Sequence, residues 1–469
     1  MRLPLVTHGM RRHPYHSVST ALTRTRQCLI VGGILGVLFA RSLVAQPKIP
    51  IQEVRVVAES PTTFGRLQVV YETSPHHLVV HDPASRRVLL LDSSLVTVRA
   101  IFDSSGSGST AYGGRATRLI RSNGDTLLFV DAAATALVVL DPDGRPVRSL
   151  AGPSSRADFL GLTVAASYID ADGNLVFRRL STPRPHPIVD PRTRETTLVN
   201  ALPDSVALLR FRFDSRLLDT LALVRQPSTI RTSLVNSATG GRTLRVALNP
   251  VGQLDDWAVL SDGTLMIVRG HDYHAEVFPS QEARFHGTRL PIAWRPLSES
   301  DKTALADSTR AVWRELERRA LERGGPSAAM AELQQALIVA FDPTAPVSAG
   351  PAPSSGRTSE NRPGAGFVVE PVPIDEMPDF LPPFRRDAVL PDRDGNLWIL
   401  PTTSIDAQRG QLTYDVVSNR GILSCRVRVP QGRLVVGFGR HGAVYLASLA
   451  DGGRWRLERA LLAETATKK

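Results

Sequence analysis

Cysteine is nearly missing from this chain: two in 469 residues. One of them, Cys28, falls in a leader-like segment, so the mature chain would keep Cys425 alone and could form no internal disulfide. Cys425 stands in "ILSCRVRVP", where Leu423, Cys425, Val427 and Val429 alternate with polar residues. That is the apolar side of a strand, and a buried, inert thiol. Residues 1–45 hold six arginines and no acidic residue. Long hydrophobic runs are missing too. The apolar stretch Cys28–Ala40 has 13 residues, is ended by Arg41 and is followed by "SLVAQ", whereas a membrane span needs about 20. The pattern predicts a secretory signal peptide cut after Ala45, with an uncleaved anchor as the alternative, and so an exported protein, periplasmic or extracellular. "TRQC" lacks the small and apolar residues that precede a lipidated cysteine.

Nor is there a block of like charge. With the leader arginines set aside, 50 basic residues face 45 acidic ones, a formal +5. The arginines are scattered and form no basic stripe, so no nucleic-acid partner is expected. The chain also lacks G-x-S-x-G, H-E-x-x-H, an EF-hand loop and a P-loop. The small-residue run "SSGSGS", Ser104–Ser109, is Gly/Ser loop material.

What the chain does have is a repeat. "NGDTLLFV" at Gly124, "DGNLVF" at Gly173, "DGTLMIV" at Gly263, "DGNLWIL" at Gly395 and "HGAVYLA" at Gly442 share a polar turn before an apolar run, and "SPHHLVVHD" puts Pro75 at the glycine position. Such turns between apolar runs read as hairpins, because glycine accepts the positive φ they demand. A second strand–turn–strand element follows most copies, as in Arg86–Ile101, Ala136–Leu150 and Tyr414–Val429. Units of 49, 49 and 47 residues separate successive copies. Four strands per unit of this length predict an all-β fold, a six-bladed β-propeller of four-stranded antiparallel blades. The 90 residues from Gly173 to Gly263 read as one blade with long loops, a seventh blade being the second reading.

From Gly263 to Gly395 the pattern changes. Residues 297–342 predict a helical hairpin: Ser300–Arg323 with Leu305, Val312, Leu316 and Ala320 on one face, then a helix opened by Pro326 bearing Met330, Leu333, Leu337 and Phe341. Residues 343–366 are a Pro/Ser/Gly segment that reads as a flexible, disordered loop. The last unit supplies only three strands, and "IQEVRVVAE", Ile51–Glu59, is expected to complete it and close the ring. Residues 46–469 are therefore expected to form a single domain.

The "D-x-D-G-N-L-W-I" turn, the "V-V-L-D-P-D-G-R-P-V" continuation and the late helical insert resemble the exported six-bladed propellers related to bacterial NHL-repeat and TolB-like proteins. The resemblance covers Glu53–Leu462 without the linker. It implies a family of binding platforms, hydrolases and lyases whose sites gather dispersed residues around a central channel. Fold alone grants none of these activities.

The candidates for chemistry are few. His76, His77, His81 and Asp82 in "HHLVVHD" form no convergent metal set on a strand, and "HDYH", His271–His274, has the same defect. Asp82, Asp131 and Asp141 follow strands where aspartate bonds its own backbone. Trp257, Trp398, Tyr445 and Trp455 fit burial between blades, against the competing idea of an aromatic sugar pocket. No catalytic, cofactor-binding or metal residue is assigned, and no cofactor is expected. The first reading is a monomeric binding scaffold with no catalytic role, taking a protein or small ligand at the propeller rim. It would not be integral to a membrane once the leader is cut. The alternative is a metal-dependent lactonase-like hydrolase or a lyase, with its site in the central channel.

Overall fold

The computed structural model describes residues 49–463, apart from 323–364 and several shorter stretches. The strands form six antiparallel four-stranded blades: Val69–Asp103, Thr117–Leu150, Ser167–Arg225, Asp256–Arg289, Phe384–Val429, and Arg433–Leu462 joined by Ile51–Phe64. A separate apolar cluster fills each of the six junctions between neighbouring blades. Phe102 meets Phe129 between blades 1 and 2, Val130 meets Phe211 between 2 and 3, and Leu208 meets Trp257 between 3 and 4. Tyr273 packs with Phe384 between 4 and 5, Trp398 with Phe438 between 5 and 6, and Tyr445 with Leu91 between 6 and 1. Six junctions in cyclic order make the ring, a six-bladed β-propeller.

The repeated turn has a local cause. Asp392 Oδ1 accepts the backbone N–H groups of Asp394 and Asn396 at 2.9 and 2.8 Å, while Oδ2 accepts Asn396 Nδ2 and Trp398 Nε1, both at 3.0 Å. Gly395 sits at φ 79°, in the left-handed region that an L side chain resists. Asp170 holds Asp172 and Asn174 in the same manner. Each is a three-residue loop closed by a left-handed glycine. Pro75 and Gly124 lie outside the described residues.

Ring closure uses the N-terminal strand. Val54 pairs with Leu462, Val56 with Ala460 and Glu59 with Glu458, all antiparallel, so the strand is the outermost of blade 6. Before that, Ile51–Glu53 runs parallel to Arg426–Arg428 of blade 5. On the inside, Val70 of blade 1 pairs in parallel with Gly437 of blade 6. A Cβ at Gly437 would lie 2.1 Å from the Val70 carbonyl oxygen, so only glycine permits this approach.

Two readings of the sequence need correction. The interval from Gly173 to Gly263 holds one blade, but its long loops are themselves strands. Arg184–Val189, Thr196–Ala201, Ile230–Asn236 and Arg242–Leu248 form an additional antiparallel sheet, and Ala365–Pro371 joins its edge in parallel. That last strand also takes the final two residues of the segment read as a flexible loop. The helix beginning at 299 buries Lys302, Ala306 and Trp313 and leaves Val312 exposed, so its inward face is rotated from the one expected. Ala306 packs with Val251, Leu297, Val372 and Met377, and Lys302 Nζ bonds the Met377 carbonyl at 3.1 Å and Asp379 at 2.9 Å. Leu316, Ala320 and residues 326–341 lie outside the described residues. A short helix, Arg156–Val164, was not anticipated, and it seats Phe159 and Leu162 in the junction of blades 2 and 3. Among the described residues no helix is long and apolar enough to cross a membrane.

Candidate functional site

The innermost strands are Val69–Ser74, Thr117–Arg121, Ser167–Ile169, Asp256–Val259, Phe384–Pro391 and Arg433–Phe438. Each enters from the connection between blades and leaves by the repeated turn, so all six turns fall on one face. Strand alternation places every insertion on the opposite face: the helix Arg156–Val164, the strands of the five-stranded sheet and the helix from 299. Long connections at one rim of a rigid ring are where binding sites are usually carried.

Arginines lace the turn-face mouth of the channel. Arg393, in the turn of blade 5, reaches Asp125 in the turn of blade 2, directly opposite in the ring, at 2.6 Å. Its other Nη bonds the Glu72 carbonyl at 2.7 Å, which also accepts Arg121 Nη2 at 2.9 Å. Arg440 pairs with Asp125 as well, and Tyr445 donates to Glu72 Oε2 at 2.9 Å. Burial, then the charge of Arg393, brings Arg121 down to about 10. Because Asp125 keeps Arg440 when Arg393 is cut back, Arg393→Ala should cost about 1–2 kcal/mol, read from the denaturant midpoint.

Above this lacing the channel wall is polar, and its groups come from four successive blades. Arg118 stands on blade 2, Tyr168 on blade 3, Asp256 on blade 4 and Asp387 on blade 5. Burial raises the Tyr168 hydroxyl well above its ordinary value, and the charges of Asp256, Arg118 and Asp387 all act on it. Burial, then the neighbouring Asp387 charge, pushes Asp256 up to about 7. Asp256 Oδ1 accepts the Trp257 N–H at 3.0 Å. Asp256 Oδ2, Asp387 Oδ2 and Arg118 Nη1 are buried and find no hydrogen-bond partner among the described residues. Such atoms cost free energy and ask for a reason. Asp387 adds backbone strain: it sits at φ 58° where its strand bulges between Phe384 and Val389. Left-handed conformations of residues other than glycine cluster at functional sites.

The histidines of "HHLVVHD" are scattered. His77 Nδ1 lies 3.1 Å from Asp143, while His81 is buried between blades 1 and 2 with Nε2 at 2.9 Å from the Tyr112 hydroxyl. Burial, then the Arg118 charge, brings His81 down to about 3, which leaves it neutral. Asp82 accepts the N–H groups of Gly65, Arg66 and Ser85, Asp131 that of Gly113 and Asp141 that of Arg145. Trp257, Trp398 and Tyr445 are buried in blade junctions, and Trp455 packs at the edge of the junction of blades 6 and 1. Burial, then the Asp392 charge, raises the Cys425 thiol pKa. From "HDYH", His274 meets Asp272 at 2.6 Å, and His271 stands exposed at 3.2 Å from the same carboxylate. The sequence reading named none of the channel groups Arg118, Tyr168, Asp256 and Asp387.

No protein-family model and no curated protein matches the chain. Solved structures resemble it at low identity. A gluconolactonase from Xanthomonas campestris shares 12% identity over 87% of this chain and 95% of its own, with a TM-score of 0.36. Virginiamycin B lyase from Staphylococcus aureus shares 8% over 88% and 100%, at 0.35. A protein of unknown function from Bacteroides thetaiotaomicron shares 9% over 88% and 74%, at 0.36.

Proposed function

We propose that this is an exported binding propeller that takes a small polar molecule into its central channel from the insert-bearing face. The observation that carries the reading is the set of buried, unpartnered atoms Arg118 Nη1, Asp256 Oδ2 and Asp387 Oδ2 on three different blades. A cation and two carboxylates beside a tyrosine hydroxyl suit a ligand with both donor and acceptor groups. The laced turn face leaves the insert-bearing face as the way in. Export rests on the arginine-rich, acid-free residues 1–45 and their apolar stretch, which lie outside the described residues up to Lys48.

A thermal-shift screen of small polar molecules tests this. A ligand at about 100 times its Kd should add about 2.7 kcal/mol of stability. Arg118→Met, which keeps the aliphatic stem, should weaken that ligand at least about tenfold. Equal affinity in the variant rules the channel out.

Asp256 supports a second reading, in which the same channel catalyses hydrolysis or elimination. A carboxyl brought to about 7 beside a second carboxyl can give and take a proton near neutral pH. The metal-dependent form of that reading needs a third donor, and among the described residues no further His, Cys, Asp or Glu converges on Asp256 and Asp387. Turnover that survives Asp256→Asn eliminates it.

A further inference from the structure

Blade 4 carries a second constellation, on its two outer strands. His274 and Glu276 are two apart on His274–Phe278, so their side chains share a face. His286, on Phe285–Arg289, is the direct cross-strand partner of Glu276. One donor atom from each of the three lies within 4.8 Å of the others. Glu276 Oε1 is 3.7 Å from His286 Nδ1 and 4.0 Å from His274 Nε2.

The geometry points to a site for one divalent transition metal of the zinc class, held by His274 Nε2, Glu276 Oε1 and His286 Nδ1. Metal–ligand bonds of about 2.0–2.2 Å at tetrahedral angles set donors about 3.3–3.5 Å apart. The two Glu276 contacts must contract by about 0.2–0.7 Å and the histidine–histidine separation, within 4.8 Å, by up to about 1.5 Å, and His286 is exposed and can supply the movement. His274 Nδ1 lies 2.6 Å from Asp272 Oδ1. In the neutral ring a carboxylate there takes the proton on Nδ1 and leaves the Nε2 lone pair facing the Glu276 carboxylate. Two acceptors facing each other are satisfied by a shared cation.

The supports sit away from the donor atoms. Arg269 Nη2 holds Glu276 Oε2 at 2.8 Å and, through Nη1, Asp255 at 2.7 Å, so it orients the carboxylate by the oxygen that does not face the histidines. Arg284 stands 3.5 Å from that same Oε2. Carboxylate–histidine pairs of the Asp272–His274 kind fix the ring and raise its basicity toward a metal. Two imidazoles and one carboxylate suit zinc and its neighbours better than calcium, which takes oxygen ligands. The exposed side at His286 leaves a coordination position open to solvent, and a bound ion would staple the last two strands of the blade.

Calorimetric titration of zinc chloride into the chelator-stripped full-length protein tests the site, with melting temperature as the second readout. Wild type should bind one equivalent and melt higher when saturated, and calcium chloride should do neither. His286→Ala, at an exposed position, should melt like metal-free wild type and lose at least about a hundredfold in affinity. Asp272→Asn touches no metal and should lose about ten- to a hundredfold. Absence of a single zinc equivalent in wild type, or His286→Ala titrating like wild type, overturns the assignment.

Discussion

Deleting residues 46–59 should unfold the protein as a whole. The strand Ile51–Phe64 is the outer edge of blade 6, paired along Trp455–Leu462, and its first residues also bind blade 5. Val54 is buried in the junction of blades 5 and 6, with Val56 packed against it. Burying one valine is worth about 1.5–3 kcal/mol, and each net backbone hydrogen bond about 0.5–1.5 kcal/mol. Their loss approaches the 5–15 kcal/mol that holds a typical domain together, to within about a factor of two. What then still ties the last blade to the first is their apolar junction and the short Val70–Gly437 pairing, while the edge of blade 6 and its junction with blade 5 lie exposed. Circular dichroism of the truncated protein should show no cooperative melt near the wild-type temperature. An unchanged melting temperature would mean that the strand decorates the ring and does not close it.

Asp256→Asn should act in the opposite direction and stabilise the protein above neutral pH. In the folded state burial, then the Asp387 charge, lifts this carboxyl to about 7, whereas an unfolded aspartate titrates at about 3.9. Between those values the folded protein holds a proton that the unfolded chain has lost. Wild-type stability therefore falls as pH rises from about 4 to about 7, then levels off. At about 1.4 kcal/mol per pKa unit, the amide should gain on the order of 2–4 kcal/mol at about pH 8 and lose most of that gain near pH 4. Asparagine can still accept the Trp257 N–H through its side-chain oxygen, so that bond survives. Melting curves of both proteins across this range decide the matter. A variant less stable than wild type at about pH 8 would mean that the carboxylate is compensated. A group that costs stability where it stands belongs to a binding site more readily than to a core.

The architecture was legible because its signals are local. The turn Asp392–Asn396 carries its own hydrogen-bond donors and acceptors within five residues, and copies at similar spacing imply copies of a blade. The missing fourth strand of the last unit pointed to Ile51–Glu59 as its partner. The five-stranded sheet escaped notice because no copy of the repeated turn joins its strands. Arg184–Val189 holds Pro185 and Pro187, residues that argue against a strand away from a sheet edge. The helix face was rotated because Trp313 buries more surface than Val312, although both fit a helical period.

The candidate site was illegible for a different reason. Arg118, Tyr168, Asp256 and Asp387 lie tens of residues apart with no shared motif, and only ring closure brings them to one wall. His274, Glu276 and His286 pose the same problem at shorter range: the spacing of the first two is visible, but His286 joins them through strand register. An unpaired strand contains no register.

The most direct test of the central claim is an experimental map of the protein bound to the strongest small polar ligand from the thermal screen. Density for that ligand should lie in the ring's centre, within hydrogen-bonding distance of Arg118, Asp256 and Asp387. Density on the five-stranded sheet, at the outer strands or at the turn face, with those three side chains untouched, would contradict the account.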